Sequence, residues 1–318
     1  MKTDSRNVSQ FYAQDPFLSF SFMLHSLFLK RVFMLDNQYA LIDSGNGRKL
    51  ERFGSYLLSR PCSQAVWAPQ LSIAEWNKAD AIFSRDNENK WTSRRPLPSQ
   101  WQIEVAGIRF KISPTDFGHL GIFPEQKPFW EWIQSTIKSH ATASFKPRIL
   151  NLFAYSGGST LAAAKGGATV CHLDASKGMV TWGRENADLN HLHDAPIRWI
   201  IEDVKKFLFR EQKRGSRYEG IILDPPSFGR GTKGEIFKIE ETIVSLLHDC
   251  RSLLSDHPLF MLFSCHTPGF SPLVMKHLTE QAMEGFRGNI SVGEMTLSGG
   301  GSVFEVPSGT YAKWEGMP

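Results

Sequence analysis

The strongest constraint on this chain is an alternation that begins at Arg148. Five short apolar runs follow one another: RILNLFA (148–154), ATVCHLD (168–174), IRWII (197–201), YEGIILD (218–224) and PLFMLFS (258–264). Between them lie STLAAAKGG (159–167), SKGMVTWGRENADLN (176–190), VKKFLFREQKRG (204–215) and Ile239–Leu254, each with the apolar spacing of a helix. The runs are too continuous for half-exposed strands, so they predict a parallel sheet covered by helices on both faces. PFWEWIQSTIKSH (128–140) predicts one more amphipathic helix ahead of the first strand. At the other end, NISVGEMTL (289–297) and SVFEVPSGTYAKW (302–314) read as two strands joined by a short turn, an antiparallel pair that finishes the sheet.

The first third of the chain follows another pattern. From Tyr39 to about Phe123 strands and turns dominate: YALID alternates, GNG marks a turn, and WQIEVAGIRFKI reads as two strands around Ala106-Gly107. Trp67, Trp76, Trp91 and Trp101 punctuate this stretch, as in a small β domain with a thin core. The expected organisation is therefore an N-terminal extension over 1–34, a small β-rich domain over 35–107 and an α/β domain over 108–318. The extension contains the apolar stretch Phe17–Leu35, but His25, Lys30 and Arg31 interrupt it before it reaches the ~20 residues of a membrane span. Asp4 and Asp15 precede the stretch and no small-x-small cleavage pattern follows, so a signal peptide is not expected either. It reads as a docked helix or a poorly ordered segment, and Met34 is a candidate start of the protein.

Composition narrows the class further. At 41% hydrophobic and 21% charged residues, the 318-residue chain can bury a core and is not of disordered type. Cys62, Cys171, Cys250 and Cys265 show no metal or redox spacing, which suits a reducing, cytoplasmic setting. A net charge of +4 permits a nucleic-acid partner without requiring one.

In an open α/β sheet, ligands gather at the carboxyl ends of the strands. After the first strand come Ala154-Tyr155-Ser156-Gly157-Gly158, a turn in which glycine lets backbone approach a ligand or simply makes a tight corner. Asp174, after the second strand, is placed to accept from ribose hydroxyls or to cap the helix beginning near Ser176. After the third, Asp203 of Glu202-Asp203 can accept from an adenine amino group or cap its own helix. The most specific element is Asp224-Pro225-Pro226-Ser227-Phe228. Two prolines remove two donors and stiffen the loop, which holds the Asp224 carboxylate ready for a planar base edge. Cys265 in Phe263-Ser264-Cys265-His266 is either a nucleophile towards a pyrimidine, with His266 assisting, or a buried packing residue. His191-Leu192-His193-Asp194 reads as a solvated loop, and no metal site is expected. Lys205, Lys206, Arg210, Lys213, Arg214 and Arg217, with Arg230, Lys233 and Lys238, form a charged face that could border a phosphate surface.

In this order, the motifs resemble those of class I S-adenosylmethionine-dependent methyltransferases, in particular bacterial enzymes that methylate bases of large-subunit ribosomal RNA. The resemblance covers about residues 108–318 and rests on Asn151–Gly157, Asp174, Glu202-Asp203 and Ile222–Phe228. Gly121-Ile-Phe-Pro-Glu-Gln126-Lys127 is similar to an element that precedes the cofactor domain in that group, with Glu125 and Lys127 where Asp and Arg are expected. The resemblance implies a Rossmann-like, seven-stranded sheet, and S-adenosyl-L-methionine as cofactor. It implies that Phe123, Gln126, Asn151 and the stretch Phe153, Ala154, Tyr155, Ser156, Gly157 hold the methionine end. It also implies that Asp174 with Ala175 binds the ribose, that Asp203 binds the adenine amino group, and that Asp224 contacts the cofactor and, with Pro225, lines the transfer site and grips the target base. Relatives that make 5-methylcytosine use a cysteine at the position of Cys265. RNA, and ribosomal RNA foremost, is the implied partner. Methylation of a protein or small molecule, or an idle RNA-binding factor of the same fold, are the alternatives. A nicotinamide-dependent dehydrogenase is disfavoured by the absence of GxGxxG.

Overall fold

The structure is a computed structural model that describes residues 38–85, 89–230, 236–301 and 303–317. The expected extension over 1–34 and the candidate start Met34 lie outside the described residues.

The chain begins with a five-stranded sheet in the order β1 (Tyr39–Gly45), β2 (Arg48–Phe53), β3 (Tyr56–Pro61), β4 (Ala81–Ser84) and β5 (Lys90–Ser93). The expected GNG turn joins β1 to β2, with Asn46 and Gly47 both at positive φ (50° and 73°), the geometry that lets a two-residue hairpin follow the strand twist. A short helix, α1 (Ile73–Trp76), sits in the β3–β4 crossover. All four tryptophans of the region donate their indole N–H. Trp67 gives it to Ser44 O (3.0 Å), Trp76 to Asp43 Oδ2 (2.9 Å), Trp91 to Thr115 O (3.0 Å) and Trp101 to Phe53 O (3.0 Å). Each ring thus packs a thin core while its polar edge ties down a neighbouring segment.

A hairpin of β6 (Trp101–Val105) and β7 (Ile108–Ile112) follows, so the division expected at 107/108 falls in its turn. After the 3-10 turn Pro124–Gln126 come α2 (Lys127–His140), β8 (Arg148–Leu152), α3 (Gly158–Lys165), β9 (Thr169–Asp174), α4 (Lys177–Leu189), β10 (Ile197–Ile201), α5 (Val204–Lys213) and β11 (Gly220–Leu223). A small hairpin, β12 (Phe228–Arg230) with β13 (Ile236–Lys238), leads to α6 (Ile239–Ser252), β14 (Phe260–Cys265), α7 (Pro272–Ala282), β15 (Gly288–Leu297) and β16 (Val306–Gly316). The β6–β7 hairpin docks on α4: Asn186 accepts from Lys111 N (2.8 Å), and Trp182 donates to Lys111 O (3.0 Å).

The main sheet has seven strands in the order β10-β9-β8-β11-β14-β16-β15, with β16 antiparallel to both of its neighbours. This is the expected architecture. Its core lies in two apolar layers, one per face, and β14 shows the rule. Phe260 and Leu262 point into one layer, while Met261, Phe263 and Cys265 point into the other. The α7 helix and the β12–β13 hairpin were not expected. The β15–β16 connection is also longer than the short turn read from the sequence. It reaches back to the N-terminal sheet, where Gly299 bridges to Leu41 and Phe304 meets Trp67 at 6.2 Å between ring centroids. No helix among the described residues is long and apolar enough to cross a membrane.

Candidate active site

The turn after β8 is built from alternating left-handed residues. Phe153, Tyr155 and Gly157 have φ of 55°, 50° and 92°. For a residue with a side chain that conformation costs roughly 1 kcal/mol, and main-chain bonds across to the end of β9 offset the cost. Ala154 N donates to Leu173 O (3.0 Å), and Tyr155 N donates to Asp174 Oδ2 (2.9 Å). The other oxygen, Oδ1, accepts from Ser176 N (2.8 Å). Ser176, and not Asp174, is the N-cap of α4. Asp174 therefore braces two loops and has acceptor capacity left on both oxygens. Burial pushes its carboxyl above the ordinary value, and the two amides pull back against that. Asp203 caps α5 by accepting from Lys206 N (3.1 Å), while Glu202 pairs with Arg210 (2.8 Å). Asp174, Ala175, Glu202 and Asp203 line one end of a cleft of about 860 Å³.

Asp224, Pro225, Pro226 and Ser227 line the other end of the same cleft. Asp224 Oδ2 accepts from Gln126 Nε2 (3.2 Å) and lies 3.6 Å from His266 Nε2. Its Oδ1 is buried and has no hydrogen-bond partner. Burial alone would raise this carboxyl, but the charge of His266, with Ser264 and Gln126 beside it, holds it below its ordinary value. The effect on His266 is reciprocal. Desolvation works against its charge, yet Asp224 and Glu125, whose Oε1 is 4.0 Å from Nδ1, lift its pKa to about 9. At neutral pH an imidazolium thus sits between two carboxylates. Gln126 also donates to Ser264 Oγ (3.2 Å), which ties β14 to the Asp-Pro-Pro loop.

Aromatic rings join the two ends. Phe123 meets Tyr155 at 5.1 Å, His266 at 5.8 Å and His119 at 5.5 Å, and Phe237 of the β12–β13 hairpin meets Phe153 at 5.3 Å. His119 and Phe237 line the cleft and carried no motif in the sequence, because each reaches it from a segment whose position only the fold determines. Asn151, Ser156 and Gln126 line a smaller adjoining cavity of about 40 Å³. There Asn151 Nδ2 donates to Thr160 Oγ1 (2.9 Å), and Ser156 Oγ donates to Gly121 O (2.6 Å).

Of the two readings of Cys265, the geometry favours packing. Its side chain is 1% exposed, lies in the apolar layer on the far side of the sheet from Gln126, and accepts from Thr267 N (3.4 Å) through Sγ. Burial pushes the thiol up, which keeps it protonated and a poor nucleophile. Three cations of the expected basic face are held by carboxylates: Arg210 pairs with Glu202, Arg214 with Glu211 and Lys238 with Glu241. Lys233 and the side chain of Arg230 lie outside the described residues.

The cleft suits S-adenosylmethionine. Its volume falls within the roughly 300–1,000 Å³ of ligand sites. Acceptors for hydroxyl and amino groups stand at one end, a small polar recess adjoins it, and the Asp224 carboxylate stands at the other.

The model of the S-adenosylmethionine-dependent methyltransferase family matches residues 58–263. A crystal structure of the SAM-dependent methyltransferase from Agrobacterium tumefaciens is 38% identical, with a TM-score of 0.84 over 88% of this chain and 91% of that one. Ribosomal RNA large subunit methyltransferase K/L of Pseudoalteromonas translucida is 30% identical over 209 residues, 65% of this chain and 28% of that protein. Ribosomal RNA large subunit methyltransferase I of Aeromonas salmonicida is 30% identical over 196 residues, 58% of this chain and 45% of that protein. The chain thus spans less than half the length of either curated relative. With a family match across more than half of its length, and with the fold and the cleft described above, the chain belongs to the S-adenosylmethionine-dependent methyltransferase family.

Proposed function

We propose that the chain transfers a methyl group from S-adenosylmethionine to a base nitrogen in RNA, with ribosomal RNA as the substrate of first choice. The observation that carries this reading is Asp224 at the cleft, a partly exposed carboxylate whose Oδ1 has no protein donor. A buried acceptor without a partner costs about 1–3 kcal/mol and calls for a donor. The N–H edge of a planar base is such a donor, and Pro225 and Pro226 offer flat apolar surfaces beside it. The names of the relatives that act on ribosomal RNA support the substrate class, and a cytoplasmic location goes with it.

In this reading Asp174 accepts from the ribose hydroxyls of the cofactor and Asp203 from its adenine amino group. The Phe153–Gly157 turn, with Phe123, Gln126 and Asn151, surrounds the methionine end. The cofactor supplies an electrophilic methyl group on a sulfonium. Asp224 accepts from the base N–H, which orients the nitrogen lone pair and stabilises the positive charge that develops there. His266 keeps Asp224 ionised, and Gln126 fixes its rotamer. Catalysis of this kind draws mainly on alignment. A base in a duplex is extruded into the cleft first. Cys265 is a packing residue, so the product is an N-methylated base and not a C5-methylated pyrimidine.

The test supplies tritiated-methyl S-adenosylmethionine with deproteinised ribosomal RNA and, separately, with cell protein. Label in RNA, recovered as an N-methyl nucleoside, is expected. Label confined to protein overturns the substrate class, and a C5-methylpyrimidine overturns the acceptor atom.

A further inference from the structure

A second cavity, of about 120 Å³, opens beside the cleft where the N-terminal sheet meets the segment ahead of the 3-10 turn. It shares His119 and Phe123 with the cleft, so the two adjoin. Lys49 of β2, Arg60 of β3 and Arg85 just after β4 line it. The buried Arg60 is structural. Its Nε and Nη2 hold both oxygens of the buried Glu51 (2.8 and 2.9 Å), and its Nη1 donates to Gly118 O (3.0 Å). Lys49 sits 3.3 Å from the same Glu51, so two cations share one carboxylate. The acid that lines the cavity, Glu125, is already faced by His266. A positive excess remains. His119 registers it: burial first, then Arg60, Arg85 and Lys49, bring its pKa down to about 4.

The loop that carries His119 is clamped to the N-terminal sheet. Trp91 donates to Thr115 O (3.0 Å), Arg60 holds Gly118 O, and Gly118, at φ 76°, lies so close to Phe83 that a Cβ would fall 2.5 Å from that ring. The clamp leaves Phe117, next to Gly118, 74% exposed at the rim of the cavity.

We infer that this cavity is a flanking-nucleotide subsite: Lys49, Arg85 and His119 receive the phosphodiester next to the base held in the cleft, and Phe117 stacks on the neighbouring base. The inference rests on the proposed RNA substrate. Cations for a backbone interleaved with an exposed ring for stacking is the combination that binds a single strand, and a cavity adjoining the base site lies within reach of the backbone of a nucleotide held there. It gives the N-terminal sheet a direct part in substrate recognition.

The test measures methylation of deproteinised ribosomal RNA by the full chain carrying Arg85→Gln, Lys49→Gln or Phe117→Ala. Each variant is expected to raise KM for RNA about tenfold, with kcat within twofold and S-adenosylhomocysteine affinity unchanged. Loss of one phosphate contact lowers the slope of log affinity against log salt by about 0.7 for single-stranded RNA, and Arg85→Lys, which keeps the charge, restores most of it. Wild-type KM and slope in all three variants, with RNA still methylated, overturn the subsite alone. Wild-type protein that labels protein and no RNA overturns the substrate reading and the subsite with it. A variant that also loses S-adenosylhomocysteine binding has damaged more than a subsite and counts against the assignment.

Discussion

The two ends of the cleft are held by different means. At the Asp174 end, main-chain amides within three residues of strand ends grip the carboxylate, from Tyr155 and Ser176. At the Asp224 end the grip comes from side chains far apart in the chain, Gln126 and His266. The first arrangement follows from strand order alone and is rigid. The second needs the 3-10 turn, β11 and β14 to converge, and its charge state depends on an imidazolium. The difference suggests a division of labour, with a fixed end for a cofactor and an electrostatically tuned end for an exchangeable base.

The sharpest way to break that division is Asp224→Asn. Its kcat should fall about 10²–10³-fold, as for loss of one aligned transition-state partner, with cofactor affinity nearly unchanged. Steady-state kinetics over both substrates check this. Asp174→Asn should do the reverse, raising KM for S-adenosylmethionine roughly tenfold through loss of a charged acceptor, with a smaller effect on kcat.

His266→Gln is the next test. His266 holds the Asp224 carboxyl down, so its removal should move the acidic limb of the pH–rate profile upward. In the wild type, activity should decline as pH rises through about 9, where the imidazolium is lost. Stability has the same sign. The folded-state pKa is raised, so the contribution is full below the unfolded value near 6.5 and is lost between there and about 9. Thermal melts from pH 6 to 9.5 should show this decline in the wild type and a flatter profile in the variant. The smallest effect belongs to Cys265→Ser. A buried thiol facing the apolar layer should be replaceable with turnover within a few-fold, and complete loss of methyl transfer in a well-folded variant would restore the covalent route.

The same contrast explains what could be read in advance. The seven-stranded sheet was legible because continuous apolar runs and helical spacing are local properties. Asp174, Asp203 and Asp224 were legible because a strand end announces itself. Whether Asp174 capped α4 was not, because Ser176 two residues on can do so equally well and only coordinates decide. The orientation of Cys265 turned on strand parity. Once Ser264 is known to face Gln126, period-two alternation sends Cys265 to the opposite layer, but nothing local says which face Ser264 takes. His119, Phe237 and the basic cavity were invisible because they join segments from the N-terminal sheet and the β12–β13 hairpin to a site formed by other strands. The α7 helix carries its own local start signal, a Ser271 N-cap followed by Pro272 in the first turn.

The division of the cleft is tested most directly by calorimetric titration of S-adenosylhomocysteine into the wild type, Asp174→Asn and Asp224→Asn. Wild-type affinity in Asp224→Asn together with a roughly tenfold loss in Asp174→Asn is the predicted result. Equal loss in both variants, or loss in Asp224→Asn alone, would contradict it.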